Sequence, residues 1–189
     1  SPTRRRGTGT SALNQALQAA LNPPSEEKGE RRFGDTLFRE GDRVMQVKNN
    51  YDVLWASADG KEVGMGIFNG DIGQITAIDP SSGLVTVDFE GHLAQYTPDM
   101  MPQLEPAYAV TVHKSQGSEY KSVIINLQCA HSVMLVRPLI YTAITRAKER
   151  VIVVGERRAL CMAISREETL RRGTMLAERI RELQEEKER

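Results

Sequence analysis

Three apolar runs, and what separates them, limit the folds open to this chain. Residues 107–112 (AYAVTV), 123–127 (VIINL) and 151–154 (VIVV) have the length and β-branched content of buried strands. A polar knot, His113-Lys114-Ser115-Gln116-Gly117-Ser118-Glu119, lies between the first two. A helical stretch ending in Thr145-Arg146-Ala147-Lys148 lies between the last two. Strands alternating with helices predict an α/β domain, and open α/β sheets place ligand sites beyond their strand ends. The knot is therefore the first place to look for chemistry.

The helical stretch opens with Pro138, whose missing N–H costs nothing in a first turn. Leu139, Ile140, Ala143, Ile144 and Ala147 then form a buried stripe, and Thr142, Arg146 and Glu149 fall on the opposite face. Arg146 is expected to point away from the core near the last turn. A cation there also complements the helix dipole, by ~0.3–1 kcal/mol.

Upstream, Arg4-Arg5-Arg6-Gly7-Thr8-Gly9 reads as a basic glycine loop. It precedes a helix whose stripe is Ala12, Leu13, Ala16, Leu17, Ala20 and Leu21, with Asn14, Gln15 and Gln18 opposite. Thr10 or Ser11 caps its start and Asn22-Pro23-Pro24 stops it. Residues 25–32 lack apolar periodicity and read as a loop. Residues 43–47 alternate at period two. Asn49-Asn50-Tyr51-Asp52 reads as an irregular segment, residues 59–66 as a loop and Phe68-Asn69-Gly70-Asp71 as a turn. Strands are expected over 72–78, 84–89 and 93–96, which together predict a small antiparallel barrel. At the C-terminal end, Ser165 with Glu168 has capping-box spacing. Leu176, Ile180 and Leu183 form a weaker stripe, with a break at Gly173.

Composition excludes more than it identifies. The 189 residues suit one domain with a small insertion, and the 25 Lys and Arg balance 25 Asp and Glu, so no overall basic surplus marks a nucleic-acid binder. The two cysteines, Cys129 and Cys161, sit in no metal-binding spacing and are expected to be reduced. No apolar run approaches the ~20 residues that span a bilayer, and no signal segment opens the chain. A cytoplasmic protein, without a membrane partner, is expected.

The knot offers a ring nitrogen, an ammonium, a hydroxyl and an amide, with Gly117 allowing close backbone approach. Donors without a thiol or carboxylate cluster suit phosphate oxygens better than a metal or an acyl group. Ser115 and Ser118 lack the GxSxG frame of a hydrolase elbow, and only His92 and His131 could join His113 on a metal. Glu119 orients Lys114 or a sugar hydroxyl, or is simply a surface acid.

Thr111-Val112-His113-Lys114-Ser115-Gln116-Gly117-Ser118-Glu119-Tyr120 resembles motif V of superfamily 1 helicases, and Tyr141-Thr142-Ala143-Ile144-Thr145-Arg146-Ala147-Lys148 resembles motif VI. Gly7-Thr8-Gly9, Leu13-Asn14, Leu21-Asn22-Pro23, Gly41-Asp42-Arg43-Val44-Met45-Gln46, Asn49-Asn50-Tyr51-Asp52 and Phe68-Asn69-Gly70-Asp71-Ile72-Gly73 follow in the order of the RecD-like branch. The resemblance covers most of the chain. It implies a RecA-like second motor domain (residues 1–40 and 102–164), an SH3-like barrel insertion (41–101) and a helical tail (165–189). It implies that Arg146 is an arginine finger reaching the γ-phosphate of ATP, with Gly117, Glu119 and Arg6 at the nucleotide cleft. Thr111, His113, Lys114, Ser115 and Gln116 are implied to contact single-stranded DNA. So are Asn49, Asn50, Tyr51 and Phe68 of the insertion; for Tyr51 and Phe68, ordinary packing stands beside base stacking.

The sequence departs from that family in one respect. It contains no GxxxxGK[ST], and its Gly60-Lys61 pair is followed by Glu62. No Asp-Glu pair follows an apolar strand. ATP and Mg2+ are accordingly expected to be held mainly by an N-terminal RecA-like domain of the same polypeptide, and none by this chain alone. The chain, which opens at Ser1-Pro2, is expected to be the C-terminal part of a 5′–3′ DNA helicase, inactive alone. Nuclease-complex subunits are further expected partners. A stand-alone nucleic-acid or protein-docking module, and the helicase half of a conjugative relaxase, are the competing readings.

Overall fold

Short apolar-rich strands build most of the structure, a computed structural model that describes residues 1–4, 8–166, 179 and 181, and alternation is clearest in one of them. In β7 (Val85–Phe89), Val85, Val87 and Phe89 are buried while Thr86 and Asp88 are not. Together with β3 (Arg43–Gln46), β4 (Asn50–Ser57), β5 (Val63–Ile67), β6 (Ile72–Ile78), β8 (His92–Tyr96) and β9 (Leu104–Pro106), it forms a seven-stranded antiparallel sheet. The strand order is β5-β4-β8-β7-β6-β3-β9. One face gathers Val44, Val53, Ile67, Ile75, Ile78, Val85, Val87, Phe89, Ala94 and Tyr96 into a single core. A hairpin of β1 (Glu30–Phe33) and β2 (Thr36–Arg39) adds Phe38 to that core, with Phe33 edge-on to it at 6.1 Å. Gly64 of β5 leaves room for the Trp55 indole, which a Cβ there would strike.

The second unit is smaller. β10 (Tyr120–Leu127) pairs in parallel with β11 (Ala147–Gly155), from Val123 opposite Val151 to Leu127 opposite Gly155. Between them run a 3-10 segment, Cys129–Met134, and α2 (Arg137–Ile144), whose first turn holds Pro138 as expected. α2 and α3 (Arg157–Ser165) bury Leu139, Ile140, Ala143, Ala159 and Ala163 against Ile125 and Leu127.

Several expectations need correction. Residues 107–112 form no strand. The Ala107 N–H still donates to the Arg43 carbonyl of β3 (2.7 Å), and beyond it the backbone groups are taken by α1 (Thr10–Leu21) and by residue 1. Asn14 donates to the carbonyls of Pro106 (2.9 Å) and Ala109 (3.0 Å) and accepts from the Ala109 N–H (2.7 Å). Ser1 N donates to the Val110 carbonyl and Val112 N–H to that of Ser1. The burial of α1 shows a partial reversal: Asn14 is buried and Ala16, Ala20 and Leu21 are exposed, while Ala12, Leu13 and Leu17 are half-buried and Gln15 is exposed as expected. Its N-cap is Gly9, with no side-chain capping bond, rather than Thr10 or Ser11. Asn50-Tyr51-Asp52 belong to strand β4, and β1 and β5 begin within segments expected to be loops. β11 is exposed along nearly its whole length, because among the described residues it pairs only with β10 and no β11 side chain enters the core. Glu168, Gly173, Leu176, Ile180 and Leu183 lie outside the described residues.

The reversal of α1 has a physical cause in Asp42. Its carboxylate is fully buried and accepts from Gln18 Nε2 (2.5 Å), Asn22 Nδ2 (2.7 Å), the Arg39 N–H (2.8 Å) and Tyr108 Oη (2.9 Å). A buried carboxylate needs such donors, and the polar side of α1 supplies two of them. Arg39, itself buried, donates to the Asn22 carbonyl and to Glu30. One node therefore joins α1, the hairpin, β3 and the segment that leads to the knot.

Each donor stranded without its acceptor costs ~1–3 kcal/mol. Asp42→Ala is accordingly expected to lower stability by about 3 kcal/mol or more, and Tyr108→Phe by about 1 kcal/mol. Urea titration followed by fluorescence of Trp55, the single tryptophan, measures both. A loss below about 1 kcal/mol for Asp42→Ala would show that the node does not hold these elements together.

Candidate functional site

The knot begins where Val112 turns from extended to helical backbone, and His113–Ser115 form a single 3-10 turn. The Ser115 hydroxyl is buried and donates to the Val112 carbonyl (2.7 Å), while Thr111 Oγ1 accepts from the Lys114 N–H (3.4 Å). Ser115 and Thr111 thus shape the turn, and its surface is left to others. His113, Gln116, Gly117 and Glu119 are exposed. Gly117 has φ +86 with open space around the position of a Cβ, so glycine is required there by conformation and not by crowding. Lys114 is half-buried and donates from Nζ to Glu105 Oε2 (2.7 Å), and Glu119 pairs with Lys148 (3.2 Å).

Arg146 meets the knot from the other side. Its guanidinium donates to the carbonyls of Ser118 and Thr142 (both 3.3 Å) and to Thr145 Oγ1 (3.4 Å), while its own carbonyl accepts the Tyr120 N–H (2.8 Å). The expected outward projection is therefore corrected: Arg146 folds back over the end of α2. The helix stops at Ile144 because Ala147 starts pairing with Tyr120, so Ala147, Lys148 and Glu149 lie in β11, off the helical face. Thr142 donates to the Pro138 carbonyl (2.9 Å), satisfying a local backbone group. The guanidinium bonds are long for N–H···O, whose usual length is ~2.9–3.0 Å. They hold the group loosely enough to be exchanged for a stronger acceptor.

The insertion residues divide. Asn49 Oδ1 accepts the Asn69 N–H (2.9 Å), and Asn50 Nδ2 donates to Gln103 Oε1 (2.9 Å), so both amides already have structural partners. Tyr51 and Phe68 stand edge to face at 5.6 Å and remain 64% and 45% exposed, which leaves ring area for a ligand. Between the large sheet and the knot runs an open groove of about 1100 Å3, lined in part by Arg43, Trp55, Phe68, Tyr108, Glu119 and Tyr120. It brings Phe68 and the end of the knot to one space. Asn49, Asn50 and Tyr51 lie outside its lining. The Tyr108 hydroxyl is pushed up to about 12, first by burial and then by donating to the Asp42 carboxylate, so it stays a donor at working pH.

Arg6 and Gly7 fall outside the described residues, but the loop's flanks are fixed. Thr8 Oγ1 bonds His131 Nε2 (2.9 Å), a ring buried beneath the 3-10 segment, and the Thr8 carbonyl accepts from Asn126 Nδ2 (3.3 Å). Arg4 pairs with Glu105 (2.9 Å). Sequence reasoning missed Glu105, Asp42, Trp55 and Tyr108. Of these, only Asp42 carries a signal, as an acid at the mouth of a strand inside Gly41-Asp42-Arg43-Val44. Among the described residues no group of three or more His, Cys, Asp or Glu is placed to hold a metal ion, and no helix is long and apolar enough to cross a membrane.

Comparison with known proteins gives two family matches. Residues 13–89 match the SH3 domain of ATP-dependent RecD-like DNA helicases, and residues 106–154 match the UvrD-like helicase C-terminal domain. The chain is 37% identical over 180 residues to the ATP-dependent RecD2 DNA helicase of Deinococcus radiodurans, covering 95% of this chain and 23% of that protein. It is 32% identical over 178 residues to the RecBCD enzyme subunit RecD of Mycolicibacterium smegmatis, covering 94% of this chain and 28% of that protein. This chain thus spans about a quarter of the relatives' length. A chain from a structure of two coordinating Pif1 helicases at forked duplex DNA aligns over 95% of this chain and 43% of its own, with TM-score 0.45 and 19% identity.

Proposed function

Because this chain belongs to the RecD-like helicase family, we propose that it is the C-terminal motor part of an ATP-dependent DNA helicase, in which Arg146 acts on ATP and the knot on single-stranded DNA. In this reading residues 1–40 and 102–164 form a RecA-like second motor domain, and residues 41–101 an SH3-like barrel inserted into it. The observation that carries the reading is the bond between the two motifs. Arg146 donates to the Ser118 carbonyl, and Tyr120 N–H donates to that of Arg146, so the arginine and the knot are parts of one unit. A strand pulled across His113, Lys114 and Gln116 would shift the backbone that holds the guanidinium.

ATP and Mg2+ are assigned to a first motor domain outside this chain, which by itself is inactive. The residues present fit one wall of a nucleotide cleft: a guanidinium on long, exchangeable bonds, with exposed Gly117 and Glu119 near it. Arg6 belongs to the same wall in this reading. At the γ-phosphate Arg146 would trade weak carbonyl acceptors for charged oxygens, stabilising charge in the transition state. On the strand side, His113, Lys114 and Gln116 supply donors to phosphate or base, with Thr111 and Ser115 shaping their turn. Tyr51 and Phe68 offer stacking faces, and Asn49 and Asn50 set the hairpin that carries them. A 5′–3′ direction follows from family analogy alone, as does a nuclease complex among the partners.

In the full-length protein, Arg146→Ala is expected to lower ATP turnover by about 10³-fold or more while single-stranded DNA affinity stays near the parent value. Normal turnover in that variant would remove the finger role. Gln116→Ala and His113→Ala should each weaken strand binding several-fold and leave turnover without DNA unchanged. Fluorescence anisotropy with a labelled oligonucleotide reads this, and parent-like affinity in both would place the strand elsewhere.

A further inference from the structure

Lys114, the knot's only lysine, is already occupied. Its ammonium donates to Glu105 Oε2 at 2.7 Å, and the other oxygen of the same carboxylate, Oε1, takes Arg4 at 2.9 Å. Glu105 sits in β9, opposite Met45 of β3, so its backbone is fixed by the large sheet. Its side chain is 28% exposed and that of Lys114 31%, whereas Arg4 is 61% exposed. The ladder therefore sets a carboxylate between two cations that come from the N-terminal loop and the knot. The trio carries a net charge of only +1, and a cation paired in this way is poorly placed to neutralise a phosphate as well. The clamp is also only half-buried, so water screens it and the pair can be broken at modest cost.

We propose that Glu105 sets the affinity of the knot for single-stranded nucleic acid: it clamps Lys114 and Arg4, and strand phosphate must displace it to reach them. The inference rests on the reading of the knot as strand-facing. Binding then has two stages. A strand first meets His113 and Gln116, which are exposed and need no rearrangement. It then draws Lys114 and Arg4 off the carboxylate. Glu105 acts on DNA only through those two cations and is a positioning residue. Its effect is to weaken the grip, so that the strand can be released during each cycle of movement. A fully paired site would hold the strand more tightly and pass it on more slowly.

The test uses the full-length protein and a fluorescent oligo-dT strand, with anisotropy titrations over a range of salt. Glu105→Gln keeps the shape of the side chain and removes its charge. Binding is expected to tighten about three- to fivefold near 0.1 M salt, the worth of a half-exposed ion pair. The log–log salt slope should steepen by about 0.7 for each cation released. Adding Lys114→Ala should abolish most of that gain, and a merely structural role would not produce that coupling. Unchanged or weaker binding in Glu105→Gln, or a gain indifferent to Lys114→Ala, overturns the proposal. Lys114→Ala alone separates the two levels. If it binds like the parent, the strand-facing reading of Lys114 fails. If it weakens binding while Glu105→Gln does not tighten it, only the clamp fails.

Discussion

Asp42 has no access to water and four donors pointing at it, and the relation between the large sheet and everything else follows from that. A carboxylate moved from water into a protein interior must recover its hydration from fixed partners. Here the partners come from three separate parts of the chain. Gln18 and Asn22 bring the end of α1, the Arg39 N–H brings the β1–β2 hairpin, and Tyr108 brings the segment entering the knot. Removing any one donor leaves the others in place, whereas removing the acceptor strands all four. The buried charge therefore acts beside the apolar packing of Phe38 in fixing how these elements sit.

The node and the arginine lie at opposite ends of a gradient in bond quality. Around Asp42, itself fully buried, the contacts run from 2.5 to 2.9 Å. Around Arg146 the guanidinium contacts run from 3.3 to 3.4 Å in partial burial. Short buried bonds resist rearrangement, and long, half-solvated ones are exchanged at small cost. The segment from Tyr108 to Tyr120 connects the two: it is anchored at its start, turns through the knot on Ser115 and Gly117, and ends on the Arg146 carbonyl. The exposed donors His113 and Gln116 lie on the stretch between those two anchors.

How much of this was legible in the sequence depended on whether a residue's partner was local. Residues 85–89 alternate cleanly and 72–78 do so up to an irregularity at Thr76-Ala77, and both strands were read nearly to the residue. Pro138 announced α2 for a reason internal to the helix. The failures all involve distant partners. The stripe of α1 was misjudged at Ala16, Ala20 and Leu21, because Asp42, far along the chain, draws Gln18 and Asn22 inward. Residues 107–112 have a strand's composition, but only Ala107 bonds a strand, β3, and Asn14 and Ser1 hold the residues after it. Extending the helical period past Ile144 misplaced Ala147 and Glu149 because pairing with β10 ends the helix. For the site, the order of motifs pointed to the knot and Arg146, which a bond to the Ser118 carbonyl brings into contact. The acid that faces Lys114, Glu105, stands outside both motifs and has no signature of its own.

That last point bears on the balanced charge of the chain. Equal numbers of acids and bases would seem to argue against a nucleic-acid surface, since phosphate binding relies on cations. Net charge, however, counts a paired lysine and a free one alike. At the knot three cations are paired with two acids: Lys114 and Arg4 share Glu105, and Lys148 meets Glu119. Each pair is at least partly exposed, so each is worth little to stability, and stability alone gives no reason to concentrate them beside the exposed donors His113 and Gln116. Pairs of that strength can instead be opened by a competing polyanion and re-formed when it leaves. A chain of zero net charge can therefore still carry cations that a polyanion can reach.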